Sequence, residues 1–466
     1  MSESSLLHSI VVATRARFSR VMADLRHRIL SDNLLYIRSL LVTPYKIMRH
    51  NGLLFLLLYI LRLIRWHYLT FRIRRLYFGS HGKPVQNTSE EELSTRDIVS
   101  HGTQLISTLM ERYSNLYLDR EDIRVLINTP KEGNAQYFYF QDLAQCLCHT
   151  GIKVHLYTAS TDDLEAALND FHPTVFITGD SAFGFGLPRS CEVALRQYKG
   201  RHGLVRLYLP FYASPLRVSP PSQPLLNRIA SHRNGELADA FIGYFEDVFW
   251  NHFCRPWHAS GLNYYSLPFA ANPCRHYPLL RRKEYDWGIA TANGDVGERA
   301  ALTLRYMARI IDKHHGVIAG YNWGKGTAPV PLSRIAEFFS RVRISPNLAN
   351  AANVSFPLDC GAKVHELSAM GVFQLSTETE ALRKYYSPTE VVGFRSKAEF
   401  DALFEYFLDK PQVRQMYVKN GMTRTLAENT YFQRIDSLVL LLDTHPELFG
   451  ASWRSTAFSA RGLVRN

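Results

Sequence analysis

The chain has 466 residues, 46% of them hydrophobic, enough for two or three domains with buried cores, and it carries no internal repeat or long low-complexity tract. Its net charge is +12, and residues 1–80 supply +10 of it, with thirteen Lys and Arg against three acidic residues, which leaves a nearly neutral body. The six cysteines lack paired Cys-x-x-Cys spacing, so they read as reduced thiols of a cytosolic protein and exclude a zinc site or a disulfide framework.

The basic segment is also apolar. Leu53 to Leu61 is a run of nine residues without a charge, interrupted at Arg62 and Arg65 and followed by Trp66, Tyr68, Phe71 and Tyr77. As a helix that run rises only about 14 Å, roughly half the hydrocarbon thickness of a bilayer, so it does not span one. It starts too late in the chain, and without a small-residue cleavage site, for a signal peptide. On a helical wheel Arg62, Arg65, Arg72 and Arg75 share an arc of about 140°. Long arginines beside interfacial aromatics suit the surface of an anionic membrane. The expectation is therefore a peripheral protein on the cytoplasmic, inner face of the plasma membrane. The alternative is a helical arm packed on its own protein. A nucleic-acid arm is set aside, because the leucine run has no role against phosphate.

After a polar linker, His81 to Ser89, the acidic Glu90, Glu91 and Glu92 mark a helix start at Ser89. Ile123 to Asn128 then reads as a buried strand, Tyr137 to His149 as a helix closed by Gly151, and Lys153 to Tyr157 as the next strand, a βαβ unit. A helix at Asp162 to Asn169 and a strand at Thr174 to Thr178 lead into Gly179-Asp180-Ser181 and the loop Gly184 to Gly186. The strand Gly203 to Leu209 runs into Pro210-Phe211-Tyr212. Ala240 to Tyr244 reads as the last strand before a crossing near Pro268.

The densest signal is Asp359 to Thr377, DCGAKVHELSAMGVFQLST. A Gly-led turn opens a short helix that carries Lys363 and Glu366 one turn apart, closes on Gly371 and passes into an apolar strand. Residues at i and i+3 share a helix face, and N–H groups free at a helix start attract diphosphate oxygens. A carboxylate one turn in suits the two hydroxyls of a ribose.

From Pro268 to Leu442 the chain resembles the CgeB-like (spore-protein) branch of the GT-B glycosyltransferases. The resemblance rests on Asp286 in the strand Tyr285 to Ala290, on Arg299 opening the next helix, and on the turn Gly320-Tyr321-Asn322-Trp323. It continues with Asn347 ending a short strand, with Lys363 to Gly371, with Val391 to Phe394 and the helix to Leu408, and with Gly421, Tyr431 and Arg434 in the tail. Two positions depart from that family's pattern. Lys363 stands for an arginine, giving a point charge without the planar fork, and His365 stands for an aromatic residue.

The resemblance implies a GT-B-like fold: two facing Rossmann-like domains with parallel sheets. The expected boundaries are an arm at 1–80, a linker and helix at 81–118, an acceptor domain at 119–267, a donor domain at 268–428, and a crossing helix and tail at 429–466. The cleft would lie beyond the carboxyl ends of the strands. The implied donor-binding residues are Glu366, Lys363, Gly361, Asn347, Asn322, Trp323, Gly320 and Arg299. Asp180, after a strand and beside glycines, is the candidate catalytic base for the acceptor hydroxyl. No Asp-x-Asp stands at a strand end, so a metal-independent reaction without a cofactor is expected. Gly320 to Thr327 does not make a P-loop, and adjacent His314 and His315 diverge by about 100° on a helix, which does not suit a metal.

The expected function is transfer of a sugar from a nucleotide-sugar donor to a cell-envelope glycan or lipid-linked acceptor, with an anionic membrane surface as partner and no nucleic acid. The rival is a non-catalytic binding or coat-type protein that keeps the GT-B shell.

Overall fold

A computed structural model describes residues 60–61, 64–73, 75–77, 85–130, 135–158, 162–179, 187, 189–209, 238–244, 261–291, 298–320, 323, 328–349 and 360–449. The chain divides into two compact units, 1–71 with 295–297, and the remainder. In the first, the described residues 60–61 and 64–71 are helical, and Leu61, Ile64 and Phe71 are each about three-fifths exposed. Among the described residues no helix is long and apolar enough to cross a membrane.

The second unit holds two all-parallel sheets. The first is built from β1 (Arg124–Asn128), β2 (Lys153–Tyr157), β3 (Val175–Gly179), β4 (Val205–Leu209), β5 (Ala240–Gly243) and β6 (Tyr264–Ser266), in the order β2-β1-β3-β4-β5-β6. Its helices are α1 (Ser89–Tyr113), which precedes the sheet, then α2 (Ala135–His149), α3 (Leu164–Phe171) and α4 (Arg189–His202). The central strands β3 and β4 are buried along their whole length, which is why they read as unbroken apolar runs.

The second sheet is built from β7 (Tyr285–Ala290), β8 (Gly316–Ala319), β9 (Val342–Asn347), β10 (Phe373–Thr377) and β11 (Val392–Phe394), in the order β11-β10-β9-β7-β8. The helices are α5 (Glu298–Lys313), α6 (Ile335–Ser340), α7 (Ala362–Ala369), α8 (Glu380–Tyr385), α9 (Lys397–Leu408), α10 (Pro411–Glu428) and α11 (Tyr431–Thr444). In each sheet the first strand of the chain lies one in from an edge and the strand order reverses beside it, as in doubly wound Rossmann-like sheets. The fold is GT-B-like.

Two helices are exchanged between the halves. The early helix α1 packs on α10 of the second half. Gly102 permits this approach, since a Cβ there would meet Met422 and Pro278 at 2.6 Å. Buried Glu91 of α1 ion-pairs with Arg414 of α10 at 2.5 Å and with Arg343 of β9 at 3.3 Å. In return α11 packs on α2 of the first half. Asp436 of α11 accepts hydrogen bonds from Tyr113 (2.5 Å) and Tyr117 (2.6 Å), and Asp443 pairs with Arg120 at 2.8 Å.

Helix α1 starts at Ser89, as expected, and is capped by Thr88, whose hydroxyl accepts from the Glu91 N–H at 3.2 Å. Other sequence expectations shift. The strand expected to end the first half, β5, is followed by β6, which pairs with it in parallel. The segment 81–118 is more than a linker with a helix, because α1 is a layer of the second half. Tyr77 lies edge-on to Trp287, with ring centroids 6.4 Å apart, and Ile73 is buried, so the arm expected at 1–80 contributes its last residues to the body of the protein.

Candidate donor site

The order of the second sheet reverses between β7 and β9, the place where open α/β sheets bind ligands. A cavity of about 80 Å³ opens there. Its lining includes Thr291 beyond β7, Asn347 at the end of β9, Phe339 of α6 and Lys363 of α7. Asn347 donates to the Ser376 hydroxyl at 3.4 Å, which turns its side chain along the strand ends.

Helix α7 starts at Gly361, whose φ of 75° falls in the region that favours glycine. Gly361 has no side chain to cap this start, and the Val364 N–H bonds the Gly361 carbonyl at 3.2 Å, which leaves the N–H groups of Ala362 and Lys363 as the ones a helix start would turn toward an anion. Lys363 and Glu366 ion-pair at 2.5 Å, and the Lys363 ammonium lies 5.5 Å from the Phe339 ring centre. Burial pushes the Glu366 carboxyl up, but the charge and hydrogen bond of Lys363, joined in acid by His276 and His365 once they are protonated, outweigh it and hold the pKa at about 2. The carboxylate is thus ionised throughout the physiological range and accepts hydrogen bonds only.

His365 points the other way, into the core. Its Nδ1 lies 2.7 Å from the Tyr386 hydroxyl, which lies 2.8 Å from the Thr425 hydroxyl, which donates to the Gly421 carbonyl at 2.8 Å. Because the last acceptor is a carbonyl, the chain runs one way: Tyr386 donates toward Thr425 and accepts from Nδ1–H. Nε2 is left as the acceptor for the Cys360 thiol at 3.1 Å. Burial lowers the His365 pKa to about 3, so the imidazole stays neutral. It fills the aromatic slot beside Tyr385 and adds a polar tie from α7 to α10.

A second polar cluster lies close by and was missed in the sequence. Asp142 of α2 is buried and ion-pairs with Arg275. It also accepts from Asn272 Nδ2 at 2.8 Å, and the same amide group reaches Gln145 at 2.8 Å. His276 Nδ1 accepts the Asn272 N–H at 3.0 Å, which places the proton of a neutral imidazole on Nε2. Burial lowers the His276 pKa, against the pull of Glu366 and Asp142. Burial raises that of Asp142, with Glu366 adding to the effect. Asp142 from α2 and His276 from the segment joining the two sheets thus both feel the charge of Glu366. The one trace in the sequence was Asp142 as the sole acidic residue of the helix Ala135–His149.

The other candidates fall in different places. Trp323 is buried and donates its indole N–H to the Thr291 carbonyl at 2.6 Å, packing behind the end of β7. Gly320 has φ 140° and donates its N–H to Ala328 at 3.2 Å, closing the turn after β8. Arg299 is the second residue of α5. Asn322 and Asp180 lie outside the described residues, as do Gly184 to Gly186 and Pro210 to Tyr212. His314 approaches Glu405 at 3.3 Å while His315 stacks on Tyr285, and no metal-ligating cluster occurs among the described residues.

No curated protein matches the chain. Among solved structures, sucrose-phosphate synthase from Thermosynechococcus elongatus is 12% identical with a TM-score of 0.48, covering 69% of this chain and 98% of its own. Anabaena HepE in complex with UDP and glucose is 9% identical with a TM-score of 0.44, covering 69% of this chain and 100% of its own. T4 phage BGT in complex with UDP and Mn2+ is 12% identical with a TM-score of 0.43, over 69% of this chain and 100% of its own. Residues 299–439, which carry Asn347, Lys363 and Glu366, match the family described as Glycosyl transferase-like.

Proposed function

We propose that the protein transfers a sugar from a nucleoside-diphosphate donor held by the second sheet to a hydroxyl acceptor presented from the first. The observation that carries this reading is the Lys363–Glu366 pair on an uncapped helix start, with Lys363 lining the cavity at the β7/β9 reversal. The first-turn N–H groups and Lys363 hold the diphosphate and stabilise the charge on it as the glycosidic bond breaks. Glu366 accepts from the ribose hydroxyls, and Asn347 lines the pocket beyond. Asp180 is proposed as the base that deprotonates the acceptor. Charge on the leaving group is met by these residues without a divalent metal.

We further propose a cell-envelope glycan or lipid-linked acceptor, reached at an anionic membrane surface on the cytoplasmic side. Its support is the basic, leucine-rich segment 1–80 and the exposure of Leu61, Ile64 and Phe71 beside Arg65. Calorimetric titration of the purified protein against a panel of nucleoside diphosphates tests the donor reading. One base should bind well ahead of the others, and turnover of the matching sugar nucleotide should follow. Absence of binding across the panel would overturn the donor site and favour a non-catalytic GT-B shell.

A further inference from the structure

Helix α7 has no side-chain cap, so its entry is set by the residue before the cap and by the residue one turn in. With Gly361 as the cap, these are Cys360 and His365, the two positions that staple many helix starts through an apolar contact and fix the angle at which the chain enters. Here the staple is a hydrogen bond, in which the Cys360 thiol donates to His365 Nε2 at 3.1 Å. Cys360 is half-buried and also packs on the buried cluster of Val364, Leu382, Tyr386 and Val391.

The staple is anchored beyond the helix. His365 is 1% exposed, and its Nδ1–H reaches the Tyr386 hydroxyl, which donates to Thr425, which donates to the Gly421 carbonyl of α10. Burial keeps the imidazole neutral, so one ring nitrogen carries a proton and the other accepts. The Tyr386 hydroxyl places that proton on Nδ1 and leaves Nε2 for the thiol. A side chain beside the helix start is thereby joined, through three others, to the backbone of another helix.

We propose that Cys360 and His365 are positioning residues for the donor diphosphate, and that Tyr386 and Thr425 hold His365 in the tautomer that accepts the thiol. This role rests on the donor reading above. Without the thiol donor the Cys360-Gly361 turn enters the helix at another angle, and the N–H groups of Ala362 and Lys363 turn with it. Lys363 shares that turn and lines the cavity at the β7/β9 reversal, so the charge that meets the phosphates moves as well. Glu366 lies deeper in α7, beyond the staple, and its contact with the ribose is left in place. Without the Tyr386 hydroxyl, the imidazole proton can shift to Nε2, where it faces the thiol as one donor against another.

The test measures binding of the preferred nucleoside diphosphate and of its parent nucleoside to the full chain by calorimetry, with circular dichroism to check folding. Cys360→Ala should bind the diphosphate about five- to tenfold more weakly, and the nucleoside within about twofold of wild type. Cys360→Ser should restore the diphosphate affinity, because a hydroxyl makes the same donation. Tyr386→Phe should lose as much as Cys360→Ala, and the double variant no more than either, since both break one chain. If Tyr386→Phe does not fold, the two Cys360 variants decide the proposal alone. It is overturned if Cys360→Ala binds the diphosphate as tightly as wild type, if nucleoside and diphosphate weaken in equal proportion, or if serine fails to rescue. Additive losses in the double variant would overturn the link through Tyr386. A wild type that binds no nucleoside diphosphate would overturn the donor reading and this role with it, whereas unaltered tight binding in every variant would overturn this role alone.

Discussion

The Lys363 ammonium and the Glu366 carboxylate meet at 2.5 Å across one turn of α7, with Lys363 also lining the cavity between the ends of β7 and β9. Each group is the other's partner, so a diphosphate that draws the lysine toward it frees carboxylate lone pairs for hydroxyl donors. The pair is thereby suited to a ligand that brings an anion and a diol together, which is the chemistry of a nucleoside diphosphate.

Removing the carboxylate tests that role. Charged hydrogen bonds contribute about 1.5–3 kcal/mol each, so Glu366→Gln should cost roughly 2–4 kcal/mol of donor binding, about 30- to 1000-fold. Calorimetry against the preferred nucleoside diphosphate measures this, with circular dichroism to show that the variant stays folded. A folded variant that binds as tightly as the parent removes Glu366 from the ribose site.

Lys363 supplies charge and no fork. Lys363→Arg should keep or improve affinity, because arginine binds phosphate oxygens in two-pronged fashion. Lys363→Met should lose about 10-fold or more, since it removes a charge-assisted contact worth roughly 1.5–3 kcal/mol. Chelation by EDTA should leave most activity intact. Activity abolished by EDTA and restored by magnesium or manganese would refute the metal-independent reading.

His365 makes a prediction about acid stability. Burial holds its pKa at about 3 against an ordinary value of 6.5, so on acidification the unfolded chain takes up this proton first. Its contribution to stability is complete above pH 6.5 and is lost as the pH falls from 6.5 toward about 3, at up to about 1.4 kcal/mol per pH unit. Urea unfolding at about pH 7 and about pH 5.5 should show the wild type losing about 1 kcal/mol more than His365→Phe. Equal losses would mean that His365 is charged, or becomes exposed, in the folded protein.

The parts of the fold legible in the sequence are those whose apolar pattern is local. β2 and β7 match the expected strands to the residue, and the Gly361-to-Gly371 layout recovers α7 and its passage into β10. The missed edge strand β6 is three half-buried residues without an apolar run, and α4 is a largely polar helix. The exchange of α1 for α11 is hidden for another reason, because its contacts join residues more than 300 apart, as in Glu91 with Arg414. The Asp142–Asn272–Arg275 cluster pairs groups about 130 residues apart whose local contexts, a mixed helix and a loop, carry no motif.

The arm gives the last prediction, and the structure changes where it should be cut. Ile73 is buried, and Tyr77 packs edge-on to Trp287, so removing residues 1–80 takes contacts from the body of the protein as well as the arm. Removing residues 1–59 spares both, while taking eight of the thirteen basic residues and most of the Leu53–Leu61 run. Each basic group near an anionic bilayer contributes on the order of 1 kcal/mol, and buried apolar area adds to that. The 60–466 protein should therefore sediment with phosphatidylserine-containing vesicles far less than the full chain, while nucleoside diphosphate affinity stays within about twofold. High salt should release the full chain only in part, since the apolar contribution is not screened. Equal vesicle binding by the two proteins would refute the arm as the membrane contact, and unfolding of the shorter one would show that residues 1–59 are a packed part of the body.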